Sequence, residues 1–259
     1  MPQVNTLVLL HGLASNSTRW WHFLSASQLR GRWAIVAPEL RGHAGSSEYR
    51  RLGMTEWCDE IVSLLDAQGC ASAVIAGHCL GAHLALQFAA RHPERTRALV
   101  MVEPMPRAAL KGWKKWLVPA RPALVAIASV LRFAHALGIP GRSVEPMDLE
   151  QWDHATRSGA SIERYGSVLS DLRSMTLPAY LQALATFVQP LPDLSQIRMP
   201  ALVLVSTGST LADGPRTRAA MAKLPNAQIV SIPAGHWIPA EQPEAMREAI
   251  DAWLQRQGS

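Results

Sequence analysis

The 259-residue chain is short of cysteine, of aromatic side chains and of charge. Its three cysteines, Cys58, Cys70 and Cys79, are an odd number without metal-type spacing. That argues against a disulfide framework and a zinc pattern, and points to reduced thiols in the cytoplasm. Residues 1–10 carry no positively charged start and no cleavage site, so no signal peptide is expected. The longest apolar stretch, residues 117–131, contains Arg121 and two prolines. It reads as too short and too broken to span a bilayer. Lys114-Lys115 is too small a basic cluster to suggest nucleic acid.

What is present suits one compact α/β domain. Apolar residues make up 48% of the chain, enough at this length for a large core. Short β-rich runs fall at 6–10, 33–37, 73–76, 98–102, 201–205 and 228–232, with helical patterns at 55–68, 81–91, 216–224 and 243–257. Strands alternating with helices imply a mainly parallel sheet covered on both faces. The alternation stops between about 105 and 192. This stretch predicts a helical lid over the carboxyl ends of the strands, where open α/β sheets bind ligands. The core would then be 1–104 and 193–259. The lid's apolar residues (Trp113, Trp116, Leu117, Val125, Leu131, Phe133, Trp152, Leu172, Phe187) cannot all be buried within a lone helix pair. Some are expected to face the strand ends and accept an apolar group.

The net charge of +5 is uneven. Residues 105–180 hold ten Lys/Arg (107, 111, 114, 115, 121, 132, 142, 157, 164, 173) against six Asp/Glu (145, 148, 150, 153, 163, 171). This is either a solvated helical surface or a field that attracts an acidic substrate or an acidic acyl-carrier protein.

The chemistry concentrates in "VIAGHCLGAHLALQ", residues 74–87. A strand runs into Gly77-His78-Cys79-Leu80-Gly81 and then into a small-residue helix. Such a strand–turn–helix holds a nucleophile in strained backbone at a helix N-terminus. Four further stretches follow a matching order: "LLHGLASNS" (9–17), "PELRGHAGSS" (38–47), "HPERTRALVMVEP" (92–104) and "IPAGHWIPAEQPE" (232–244). Together they resemble the α/β-hydrolase superfamily over nearly the whole chain outside the insertion.

The resemblance implies roles residue by residue. Cys79 is the nucleophile, and His236 is the general base and later the general acid. The backbone N–H groups of Leu80 and Leu13 form the oxyanion hole. His11, Gly12, His78, Trp113, Trp116, Trp152 and Trp237 are candidate substrate contacts, although histidines at positions 11, 43 and 78 usually shape loops in the superfamily. His83 reads as local packing. No cofactor or metal is called for. The usual acid position falls near Ser209, which is not an acid. Asp213 could serve from a longer loop. Glu103, after the strand at 98–102, matches the placement in haloalkane dehalogenases, and a Cys–His dyad is the third arrangement. The aspartate nucleophile of those enzymes is missing here, so their activity does not carry over.

A cysteine in a serine's place changes the expected reaction. A thiol near 8.5 is lowered by a helix N-terminus and a histidine, so a thiolate–imidazolium pair leans less on a third residue. The intermediate is a thioester, open to water, alcohols, amines or thiols. The pattern is similar to dienelactone hydrolases and polyhydroxyalkanoate synthases, though the lid differs from the first and the length from the second; a serine exchanged for cysteine would give the same sequence. Three functions compete: a hydrolase of an ester, lactone or thioester; an acyltransferase drawing on a coenzyme A or carrier-protein thioester; and a non-catalytic binding module on the same fold.

Overall fold

The computed structural model describes residues 5–44, 49–141, 144 and 175–257. Its centre is one six-stranded sheet with β1 (Asn5–Leu10), β2 (Trp33–Val36), β3 (Ala73–His78), β4 (Thr96–Val102), β5 (Ala201–Ser206) and β6 (Ala227–Ile232). Every neighbouring pair is parallel. The order is β2-β1-β3-β4-β5-β6, so the chain builds outward from β1 to β2 and then crosses to the other side at β3. The crevice between the carboxyl ends of β1 and β3 is therefore the topological switch point, where open sheets take ligands. Pairing of β4 with β5 (Val100↔Leu202) shows that the sheet continues straight across the long intervening segment.

The central strands are nearly continuous apolar runs because both faces are covered. On one face Val8, Leu10, Ile75, Leu99, Met101 and Val203 pack with α2 (Met54–Ala67) and α3 (Leu80–Arg91). On the other, Leu7, Leu9, Val74, Val100, Val102 and Leu204 pack with Phe23 of α1 (Trp21–Ala26) and with Met246, Ile250, Trp253 and Leu254 of α8 (Pro243–Gln257). Each such side chain removed from water contributes about 1.5–3 kcal/mol before entropy is counted.

Between β4 and β5 the described residues are helical. A 3-10 turn (Gly112–Trp116) leads into α4 (Leu117–Ala136), which packs on α5 (Leu177–Phe187). Arg121 Nε donates to the Ala185 carbonyl at 3.1 Å, and Arg132 donates to Gln182 Oε1. The turn and α4 form 25 continuous helical residues, Gly112–Ala136, long and apolar enough to cross a membrane by length and composition. This corrects the reading of residues 117–131 as short and broken. Pro119 lies in the first turn of α4, where no intrahelical N–H is needed, and Pro122 is carried inside the helix.

The apolar lid residues divide. Phe187 is buried, Leu117 and Leu131 are half-buried, and Val125 and Phe133 point to solvent. Trp152 and Leu172 lie outside the described residues. The remaining helices are α6 (Gly214–Met221) and the short α7 (Ile238–Glu241).

Candidate active site

β3 ends at His78 and α3 begins at Leu80, so Cys79 alone makes the turn. Its backbone has φ +54° and ψ −110°, a conformation that side chains rarely adopt. The surrounding bonds hold it there. Cys79 N–H donates to the Val102 carbonyl at 3.0 Å, and the Cys79 carbonyl accepts from Ala82 N–H at 3.1 Å. Both flanking glycines are required by contact. A Cβ on Gly77 would sit 2.1 Å from the Gly81 carbonyl carbon, and one on Gly81 would sit 2.4 Å from the Leu10 carbonyl oxygen.

Strain recurs around this point. Of the four non-glycine residues with positive φ among the described residues, three are Ala14 in the loop after β1, Cys79, and Glu103 immediately after β4. Such outliers cost energy and persist only where the surroundings enforce them, which is characteristic of functional sites.

His236 lies on the loop between β6 and α7. Glu241 grips this loop by accepting from both Gly235 N–H and Trp237 N–H, the latter at 3.0 Å. The His236 carbonyl accepts from His78 Nε2 at 3.3 Å. His236 Nδ1 faces Glu103 Oε2 at 3.4 Å, with both side chains buried. The other Glu103 oxygen accepts from Ser206 N–H. His236 Nε2 makes no hydrogen bond of ordinary geometry among the described residues. Burial alone would lower the His236 pKa. The polar contacts with the Cys79 and Glu103 side chains, and after them electrostatic attraction to the same two groups, outweigh it and lift the value to about 9.

Asp213 does not join this cluster. Its carboxylate accepts from Arg216 N–H at 3.0 Å and caps α6, which explains an acid at that position without any role at His236. The Ser209 hydroxyl likewise serves its own loop, accepting from Ala212 N–H at 3.3 Å.

The histidines separate by environment. His11 is fully buried and accepts from Leu40 N–H at Nε2 (3.1 Å), so its proton sits on Nδ1 and is donated to the Gly12 carbonyl at 2.9 Å. Burial lowers its pKa to about 4. It joins two loops and does not line the cavity, which corrects its assignment as a substrate contact. His43 packs edge-on against it and is lowered by burial to about 3. His78 does line the cavity; burial, then the charges of His236 and Arg19, hold its pKa well below the usual value. His83 reaches further than local packing: Nδ1 bonds the Phe187 carbonyl at 3.1 Å and the two rings stack, tying α3 to α5.

Above Cys79 and His236 opens a cavity of about 160 Å³. Gly12, Leu13, His78, Trp113 and Trp237 line it. Trp116 does not; it is 73% exposed because it lies on the outer side of the 3-10 turn. Trp152 lies outside the described residues. Leu80 is the first residue of α3, so its N–H has no acceptor within the helix.

Several neighbours escaped sequence reading. Ser15, Met105, Lys114, Tyr180, Leu184 and Leu211 complete the wall. Arg19 is buried beside the site, with Nε donating to Ser15 Oγ at 3.2 Å and its guanidinium 5.6 Å from the Trp237 ring. Glu241 carried a faint signal, an acid five residues beyond His236 and within reach of that loop's free N–H groups.

Known proteins are similar over all or part of this frame. "Putative carbamate hydrolase RutD" of Caulobacter sp. (strain K31) is 28% identical over 95% of this chain and 88% of its own length. "Epoxide hydrolase B" of Mycobacterium tuberculosis (strain H37Rv) is 35% identical, but over only 36% of this chain and 27% of its own. Among solved structures, an esterase from Thermogutta terrifontis superposes with a TM-score of 0.68 at 22% identity, covering 98% of this chain and 90% of the other. The enol-lactonase from Burkholderia xenovorans LB400 superposes with a TM-score of 0.70 at 18% identity, covering 98% and 92%. At these identities the structures speak for the fold alone. The profile of the Alpha/beta hydrolase family matches residues 7–249, and the chain belongs to that family of enzymes.

Proposed function

We propose that this enzyme hydrolyses an ester, lactone or thioester through an acyl intermediate on Cys79. The observation that carries the reading is the buried line Cys79–His236–Glu103, with the cysteine held in strained backbone at the cavity floor. A binding module has no need of such strain, nor of a histidine raised to about 9.

In this reading Cys79 reacts as the thiolate, and His236, raised to about 9, carries the proton that it gives up. The Cys79 thiolate attacks the carbonyl carbon, and the carbonyl π electrons move onto oxygen. Leu80 and Leu13 N–H groups receive that oxyanion, each donor contributing about 3–4 kcal/mol. Collapse expels the alkoxide or thiolate, which takes the proton from His236 Nε2. The products are the thioester and a neutral histidine.

Acylation then changes the histidine. With the thiolate consumed, Cys79 no longer supports the imidazolium, while burial still opposes it. The His236 pKa therefore falls, and Nε2 can take a proton from water as the water oxygen attacks the thioester. Expulsion of the Cys79 thiolate releases the acid and restores the pair. Glu103 holds the imidazole through Nδ1 in both halves.

The walls are largely apolar (Leu13, Met105, Leu117, Leu184, Phe187), so the acyl part is apolar. The volume of about 160 Å³ favours a short chain or a single ring. Iodoacetamide labelling tests the nucleophile without a known substrate. Cys79 should alkylate far faster than Cys58 at neutral pH, since burial raises Cys58 to about 11. Equal slow labelling of both would remove the proposal.

A further inference from the structure

The outer side of the lid carries an apolar surface that the hydrolysis mechanism does not use. Trp116, Ile127, Val130, Phe133 and Leu137 are between 50% and 73% exposed. Pro119, Ala123 and Ala126 are exposed between them. The steps 116, 119, 123, 126/127, 130, 133, 137 follow helical periodicity, so these residues form one stripe. The opposite side of α4 buries Ala128 and is tied to α5 by Arg121 and Arg132. The helix is thus amphipathic in reverse, with its apolar side turned to solvent.

Its charge has one sign. From residue 104 to 144 there are seven cations, at 107, 111, 114, 115, 121, 132 and 142, and no Asp or Glu. Lys115 is exposed, and the Lys114 ammonium sits over the Trp113 ring at 5.2 Å. The stripe starts next to the site, because Trp113, Lys114 and Leu117, which adjoin Trp116 in the chain, line the cavity above Cys79.

We infer that the segment Gly112–Leu137 is a docking face for an anionic lipid surface, lying in the plane of the interface with its apolar stripe among acyl chains and its cations at the headgroups. An exposed apolar side with Trp and Phe, with Lys114 and Lys115 at its start, has the make-up of an interfacial helix. The two arginines anchored to α5 keep it lying on the surface rather than crossing. A second copy fits poorly, since a two-fold interface would set this all-cationic strip against itself. An acidic protein would match the charge, but the stripe offers few side-chain partners for the hydrogen bonds of a protein interface. Docking would set the cavity mouth against the bilayer, from which an apolar substrate could enter directly. The inference needs no particular reaction at Cys79.

The test is co-sedimentation of the full chain with vesicles of phosphatidylcholine containing roughly one-third phosphatidylglycerol, against pure phosphatidylcholine. Binding to the anionic vesicles should be at least about tenfold tighter and should weaken strongly in high salt, where exposed charges are screened. Val130→Ser with Phe133→Ser, and separately Lys115→Glu, should each reduce binding about tenfold or more while circular dichroism and ester turnover in solution stay unchanged. Absence of binding to either vesicle, or binding indifferent to both sets of changes, overturns the inference. Reversible self-association without vesicles that the Val130/Phe133 change abolishes assigns the face to a second copy instead. Selective capture of an acidic acyl-carrier protein, with no vesicle binding, assigns it to that partner. Because the readout is binding, failure here is distinct from failure of the acyl-cysteine reading.

Discussion

The sheet and the lid use similar apolar residues to opposite ends. In α3, Leu80, Leu84, Leu86 and Phe88 are fully buried, and the backbone before them is locked tightly enough to hold Cys79 at positive φ. In α4, Ile127, Val130 and Phe133 face outward, and only Ala128 is buried. A strained nucleophile needs a rigid frame on every side. A surface that meets partners or substrate needs unspent apolar area. In the reading proposed above, chemistry belongs to the sheet ends and recognition to the inserted helices.

The comparison can be broken most sharply at the nucleophile. Cys79→Ala should lower turnover by a factor on the order of 10⁶, as loss of a nucleophile does in serine enzymes, while leaving the melting temperature nearly unchanged. Cys79→Ser should stay folded with lower activity. Full turnover in the alanine variant, measured on any hydrolysed ester, would place the chemistry elsewhere.

Packing comes next. Phe88→Ala should cost about 3–5 kcal/mol in denaturant unfolding, whereas Phe133→Ser should fall within about 0.5 kcal/mol. Similar losses at both would mean that α4 is covered in solution and that the contrast between the regions is false.

The acid separates two carboxylates that look alike in sequence. Glu103→Gln should reduce kcat about 10- to 100-fold, less than the roughly 10⁴-fold loss for a serine triad's acid, because a thiolate needs less help. Asp213→Ala should leave kcat alone and cost about 1 kcal/mol through the lost cap of α6. The pH profiles add a signed test. In the free enzyme His236 titrates at about 9, so kcat/KM should decline as pH rises through that value. Glu103→Gln removes one of the charges that raise His236, and its alkaline limb should move down. If deacylation limits kcat, kcat needs neutral His236 and should rise with pH, with its midpoint well below 9.

Much of this architecture was legible because it rests on local chemistry. The six strands are dense in Val, Ile, Leu and Ala, and the observed strand ends differ from the sequence reading by one or two residues. The elbow was legible because Gly77 and Gly81 leave no room for a Cβ. Choosing between Glu103 and Asp213 required three dimensions: one lies at the end of a strand beside the His236 loop, and the other starts a helix, and both are ordinary places for an acid. His11 looked like a contact because its motif adjoins the cavity, yet its ring turns beneath the loop to Leu40. Trp116 and Phe133 misled because hydrophobicity alone does not say which way a helix faces. Pro119 and Pro122 suggested a break that an end position and an anchored helix remove.

Whether Cys79 carries the acyl group is decided by intact-mass spectrometry of the protein mixed with a panel of short apolar esters and acyl thioesters. A transient mass increase equal to the acyl group is expected, mapping to Cys79, absent in Cys79→Ala and prolonged in His236→Ala acylated by an activated thioester. Hydrolysis at full rate with no adduct on Cys79, under rapid quench and with the alanine variant equally active, would contradict it.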